Sequence, residues 1–101
     1  MANGINGKTT SGFEFFIDEK ALDDWEVLEA LVDIDSGHFG AAVRVLKLLL
    51  GEKQVKELKE HCRDKQTGRV PRDAMFSELS EILKVKSTKN KDTESEKLKN
   101  A

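Results

Sequence analysis

The sequence predicts a mainly α-helical fold: a small bundle of about four helices, a short N-terminal β-strand or hairpin, and a disordered C-terminal tail. Three observations predict it. Apolar residues recur at helical spacing in separate stretches between residues 24 and 83. One short stretch before them alternates with period two instead. Beyond Val85, Leu98 is the only large apolar residue, and the chain runs out in Lys, Ser, Thr, Asn, Asp and Glu. The expected organisation is a flexible or hairpin N-terminus (1–12), a helical domain (13–85) and a charged tail (86–101) too polar to offset the entropy of ordering it.

In chain order, Gly4, Asn6-Gly7 and Ser11-Gly12 are turn signals. Phe13, Phe15 and Ile17 alternate and so share one face of a strand, which Ser11-Gly12 can turn back on residues 5–10. An isolated hairpin is marginal in water, so it must dock on the helices or pair with another chain through its free edge. Asp18 and Asp23 each offer an N-cap, and Asp23 with Glu26 has capping-box spacing. Trp25, Leu28, Leu31 and Val32 then mark a helix over about 24–35 that stops at Gly37. Phe39, Ala42, Val43, Leu46, Leu49 and Leu50 mark a second over about 38–50, closed by Gly51. Its apolar face is broad, since Val45 and Leu48 lie outside the main stripe, and it is expected at the centre of the bundle. Val55, Leu58 and Cys62 mark a third, narrow-faced and peripheral, over about 52–63. After a polar loop at 64–69, Pro71 opens a fourth helix with Ala74, Met75, Leu79, Ile82 and Leu83 as its stripe.

Composition narrows the function classes. A chain of 101 residues suits one domain and buries roughly 60–65% of its unfolded surface, too little for a large internal cofactor pocket. Charged residues make up 36%, against about 25% in average domains. Residues 1–35 hold nine acidic and two basic residues, whereas 84–101 hold three acidic and six basic. Such opposed halves suit contact within the fold or self-association between copies. One cysteine, Cys62, rules out an intrachain disulfide and fits a reducing compartment. No apolar run approaches the ~20 residues of a membrane span, and no signal-peptide pattern is present. The expected location is the cytoplasm.

Catalytic and metal chemistry find little support. His38, His61 and Cys62 are the only soft or borderline ligands, and they lack metal-site spacing. Cys62 lies on an apolar stripe and reads as a structural thiol. The carboxylate pairs Asp23-Asp24 and Asp33/Asp35 sit at helix ends, where they act as caps and dipole partners. Gly7-Lys8-Thr9 lacks the upstream glycine of a phosphate loop. Basic residues from Arg44 to Arg72 are interleaved with acidic ones, so no stripe for nucleic acid emerges. No cofactor, metal, membrane or specific nucleic acid is expected, and the chain reads as a binding protein rather than an enzyme. The candidate partner-binding residues are Phe13, Phe15, Phe16, Trp25 and Phe39, five of six aromatics, all in the first 40 residues. In so small a domain most should be buried, and Phe16, opposite Phe13 and Phe15 on the strand, is the expected exception.

Thr10-Ser11-Gly12-Phe13-Glu14-Phe15, Ile17-Asp18-Glu19, Leu22-Asp23-Asp24-Trp25-Glu26, Leu50-Gly51-Glu52, Leu58-Lys59-Glu60-His61 and Gly68-Arg69-Val70-Pro71 together resemble the tail assembly chaperones of long-tailed phages and prophages of Gram-positive bacteria. The likeness covers about residues 9–84. It implies a protein that coats the tape measure protein, keeps it soluble, and recruits tail-tube subunits of the major tail protein. It also implies that this chain corresponds to a short form that frameshifting extends in many such families. A structural head–tail or tail virion component, and a small phage regulatory protein, are the alternatives.

Overall fold

In the computed structural model, which describes residues 3–90 with side chains to residue 85, β1 (Gly4–Lys8) and β2 (Glu14–Asp18) form an antiparallel pair in the register Ile5↔Ile17 and Gly7↔Phe15. Gly12 closes the turn at φ 97°, with its N–H donating to the Thr9 carbonyl at 2.9 Å. That left-handed residue is the one a three-residue hairpin loop demands. Phe13, Phe15 and Ile17 are buried on one face, as their alternation predicts, and Ile17 is fully inaccessible. A Cβ on Gly7 would collide with the tip of the Phe15 ring, so the bare glycine leaves that ring its space beside β1.

Four helices follow among the described residues: α1 (Glu19–Leu22), α2 (Trp25–Asp35), α3 (Ala41–Cys62) and α4 (Arg72–Asn90). The single turn α1 was not expected from the pattern. Asp18 caps it by accepting the Lys20 N–H at 2.8 Å. Asp23 then serves as its C-cap, so the cap of α2 moves one residue on, to Asp24, which accepts the Glu26 N–H at 2.8 Å. The Asp23 cap read from the sequence is therefore corrected. At the other end of α2 the N–H of Gly37 reaches the Ile34 carbonyl and that of His38 reaches the Asp33 carbonyl, both at 2.9 Å. These two bonds are the pair that a glycine-ended helix uses to satisfy its last carbonyls.

The helices expected at 38–50 and 52–63 lie end to end as α3, broken at Gly51 with φ 81° and ψ 162°. That backbone region belongs to glycine, which is why the apolar pattern stops there. The second half sits deeper than its lysine-rich composition predicts, because Leu58 is fully buried and Val55 nearly so. Val45, expected outside the main stripe, is also fully buried. The reason is that α3 packs against α2, α4 and β2 together, so it has no single inner face. Pro71 stands just before α4, its carbonyl accepting from the Met75 N–H. The helix continues through residues 86–90, which the sequence assigns to the tail; the rest of that expected tail, 91–101, lies outside the described residues.

Candidate functional site

Helix α2 has seven apolar residues in eleven, more than one buried face can use. Val27 and Ala30 are buried and Leu31 and Ile34 half-buried, the i, i+3, i+4, i+7 series of a core stripe. Trp25, Leu28 and Val32 form a second series, at i, i+3 and i+7, and it faces solvent. Trp25 is 69% exposed, Val32 55% and Leu28 49%; from the next helix and its approach, Phe39 is 61% exposed and Val43 59%. Large apolar side chains gathered this way on a small surface make this face the candidate interaction site.

Helices α2 and α4 both pack on α3 and face each other across a hollow of about 380 Å³. Its walls are Leu28, Leu31 and Val32 from α2 and Phe76, Leu79 and Leu83 from α4. A second hollow of about 370 Å³ shares Phe76 and Leu79 with the first and extends it to Phe39, Val43 and Met75. Phe39 stands edge-on to Phe76, with centroids 6.2 Å apart and planes at 82°, the arrangement that aromatic quadrupoles favour. A third depression shares Leu28 and Val32 and reaches Trp25. The three join into one apolar groove.

The groove is bordered by acidic residues of α2 and by two arginines, Arg44 of α3 and Arg72 of α4. Glu29 and Asp33 border it on the Trp25 side and Asp35 on the α4 side. Asp33 is engaged by Arg44 at 3.0 Å.

The five aromatics singled out from the sequence thus divide. Phe13 and Phe15 are core, Phe16 is half-buried on the opposite face of β2, and Trp25 and Phe39 are at the groove. Leu28, Val32 and Val43 mark helical stripes in the sequence yet face water, and of the aromatics it is Trp25 and Phe39, not the expected Phe16, that are most exposed. Periodicity identifies an apolar stripe but cannot say which of two stripes turns inward. Phe76 and Leu83, the α4 wall, were not singled out as site residues. The signal available was that Leu83 is a stripe position of the fourth helix and Phe76 the one aromatic beyond residue 40.

The hairpin pairs within the chain, and its edges differ. Gln54 on α3 donates from Nε2 to the Phe16 carbonyl at 2.7 Å and accepts the Phe16 N–H at 2.8 Å, so it closes the outer edge of β2. Since Phe16 therefore points away from β1, its partner Asn6 points away from β2. The outer edge of β1, at exposed Gly4, Asn6 and Lys8, pairs with no further strand among the described residues.

A second cluster escaped the sequence entirely. Glu81 accepts both the N–H and the hydroxyl of Thr10 at 2.8 Å, and these bonds hold its carboxyl below the usual glutamate range. Ser11 donates its single hydroxyl proton to Glu78 Oε2 at 2.7 Å. Its 2.9 Å contact with His61 Nε2 is therefore one in which the imidazole donates. Glu78 is buried, with Oε1 lacking a partner among the described residues. His61 also packs on the Phe13 ring at 5.5 Å. Two consecutive residues of the hairpin tip, Thr10 and Ser11, are thus clamped to α3 and α4. Neighbouring Cys62 is half-buried, and burial followed by the Glu78 charge pushes its thiol up. Among the described residues no three of His, Cys, Asp and Glu converge on a metal position, and no helix is long and apolar enough to cross a membrane.

No family model, curated protein or solved structure matches the chain.

Proposed function

We propose that this chain is a binding protein that acts as a phage tail assembly chaperone: it holds apolar stripes of the tape measure protein in its α2–α4 groove and recruits tail-tube subunits. The observation that carries the proposal is the groove itself. A chain of this size has little apolar surface to spare, yet Trp25, Leu28, Val32, Phe39 and Val43 are turned to water. A groove of this shape suits an amphipathic helix laid lengthwise. The resemblance carried by residues 9–84 supplies the identity of that helix, since a tape measure protein is long and helical.

The hydroxyl, imidazole and carboxylate at the hairpin tip do not favour an enzyme. His61 donates to Ser11 rather than accepting its proton, so it is not placed as the general base of a Ser–His pair.

The test is co-expression with the large helix-rich protein encoded beside this chain, followed by size exclusion with light scattering. The chaperone proposal expects that partner to be soluble only with this chain and to co-elute with several copies of it. A Leu28→Asp/Val32→Asp variant should lose the effect while staying folded. A partner equally soluble alone overturns the proposal, and recovery of this chain in finished particles would favour the virion component instead.

A further inference from the structure

The charge that α2 itself places along its open stripe is of one sign. Between Trp25 and Asp35 the helix carries Glu26, Glu29, Asp33 and Asp35 and no basic residue. Of the three that border the groove, Asp33 is engaged by Arg44, whereas Glu29 and Asp35 have no ion-pair or hydrogen-bond partner among the described residues. Opposite Leu28 and Val32 the α4 wall offers neutral Ser80 beside its apolar residues; Arg72, the lining cation not paired with Asp33, borders the hollow at Phe39 instead. A ligand that covers Leu28 and Val32 must bring something to two carboxylates as it takes them out of water.

Resting on the groove's reading as a helix cradle, we infer that its occupant is an amphipathic helix of a different protein with lysine or arginine flanking its apolar stripe. Two other occupants are disfavoured by the same residues. A second copy laid α2 against α2 about a two-fold axis would bring acidic borders together, and like charges at an interface are repulsive. The chain's own residues 91–101 hold one large apolar residue, Leu98, where a groove-filling helix needs apolar residues at i, i+3 or i+4, and i+7. A basic flank satisfies Glu29 and Asp35, and its aliphatic stems extend the apolar contact over the Trp25 ring, where the cationic head gains a further attraction.

Trp25 is the only tryptophan in the chain, so its emission reports directly on the groove. The experiment titrates the full chain with three synthetic helices of about 18 residues, or five turns. All carry one leucine stripe; the flanks are lysine, glutamine or glutamate. The lysine-flanked peptide should shift Trp25 emission to the blue and bind about tenfold tighter than the glutamate-flanked one, the difference shrinking as salt rises from about 0.05 to 0.5 M. Glu29→Lys/Asp35→Lys, checked for folding by circular dichroism, should reverse the order. The milder Glu29→Gln should narrow the gap. Equal binding of all three peptides, or reversal variants that keep the original order, overturns the charge preference and leaves the cradle standing. If no peptide moves Trp25 emission, the inference falls together with the cradle.

Discussion

Gln54 offers the sharpest test of how the hairpin is held to the helices. Its side chain makes three hydrogen bonds. Oε1 accepts the Phe16 N–H at 2.8 Å, and Nε2 donates to the Phe16 carbonyl at 2.7 Å and to the Leu50 carbonyl at 2.8 Å. The Leu50 carbonyl needs this donor because the backbone breaks at Gly51. All three bonds are partly buried, and a net value of about 0.5–1.5 kcal/mol each places Gln54→Ala at roughly 2–3 kcal/mol of lost stability. For a domain whose total is about 5–15 kcal/mol, that is a large share. Gln54→Glu is more informative. The carboxylate can still accept from Phe16, but its second oxygen then faces two carbonyl oxygens with no proton to offer. Near neutral pH it should be at least as damaging as alanine, and it should recover in part as acid protonates it and restores one donor. Urea unfolding followed by circular dichroism reads both variants. With a slope of about 1–3 kcal/mol/M, the expected midpoint drop is about 1–2 M. A Gln54→Glu protein as stable as the parent at neutral pH, or one that weakens further in mild acid relative to the parent, would sink the account of β2 as an edge closed by a side chain.

Other expected outcomes follow from the same geometry. Trp25→Ala should change stability by less than about 1 kcal/mol, since most of the ring is already in water; a loss of roughly 3–5 kcal/mol in denaturant unfolding would return Trp25 to the core. Gly51→Ala should cost about 1–3 kcal/mol, because the residue sits at φ 81°; an unchanged melting curve would mean that α3 straightens freely. The Thr10 bonds depress the Glu81 carboxyl in the fold, so their contribution is present above the ordinary glutamate value and fades as pH falls through the lower folded one. Wild type should therefore exceed Glu81→Gln in stability near neutrality and lose that margin as pH drops below about 4.3; a margin independent of pH counts against the clamp. Cys62, its thiol pushed up by burial and by Glu78, should react with a thiol reagent more slowly than free cysteine at about pH 8. Reaction at the free rate would contradict that environment.

Much of the fold is legible in residue types whose physics is local. Alternation in Phe13, Phe15 and Ile17 identifies a strand and its buried face. Gly12, Gly37 and Gly51 mark where the chain must turn or break, and each has a positive φ. What the sequence hides is long-range. Gln54 closing a strand 38 residues away, or Glu81 holding Thr10 across 71, leaves no trace in any periodicity. The one-turn α1 is too short to show a period at all. The groove was half legible, because Trp25 and Phe39 draw notice as aromatics, but their exposure depends on how α3 divides its surface among three neighbours.

That division also separates two kinds of information in the sequence. The runs that carry the resemblance are spent mostly on building the fold. Thr10 and Ser11 are clamped by Glu81 and Glu78, Phe13 and Phe15 fill the core, Asp18 and Asp24 cap helices, Gly51 breaks α3, and His61 braces the hairpin tip. The groove is built largely from other positions: Leu28, Val32, Phe39, Val43, Phe76 and Leu83 all lie outside those runs, with Trp25 and Val70 the exceptions. Two chains could share the clamp and the caps and still present grooves of different shape and charge. The resemblance therefore bears on the scaffold, while the partner is decided by which side chains α2 and α4 turn to water. Exchanging groove residues between such chains should move partner preference without moving stability, whereas exchanging clamp residues should do the opposite.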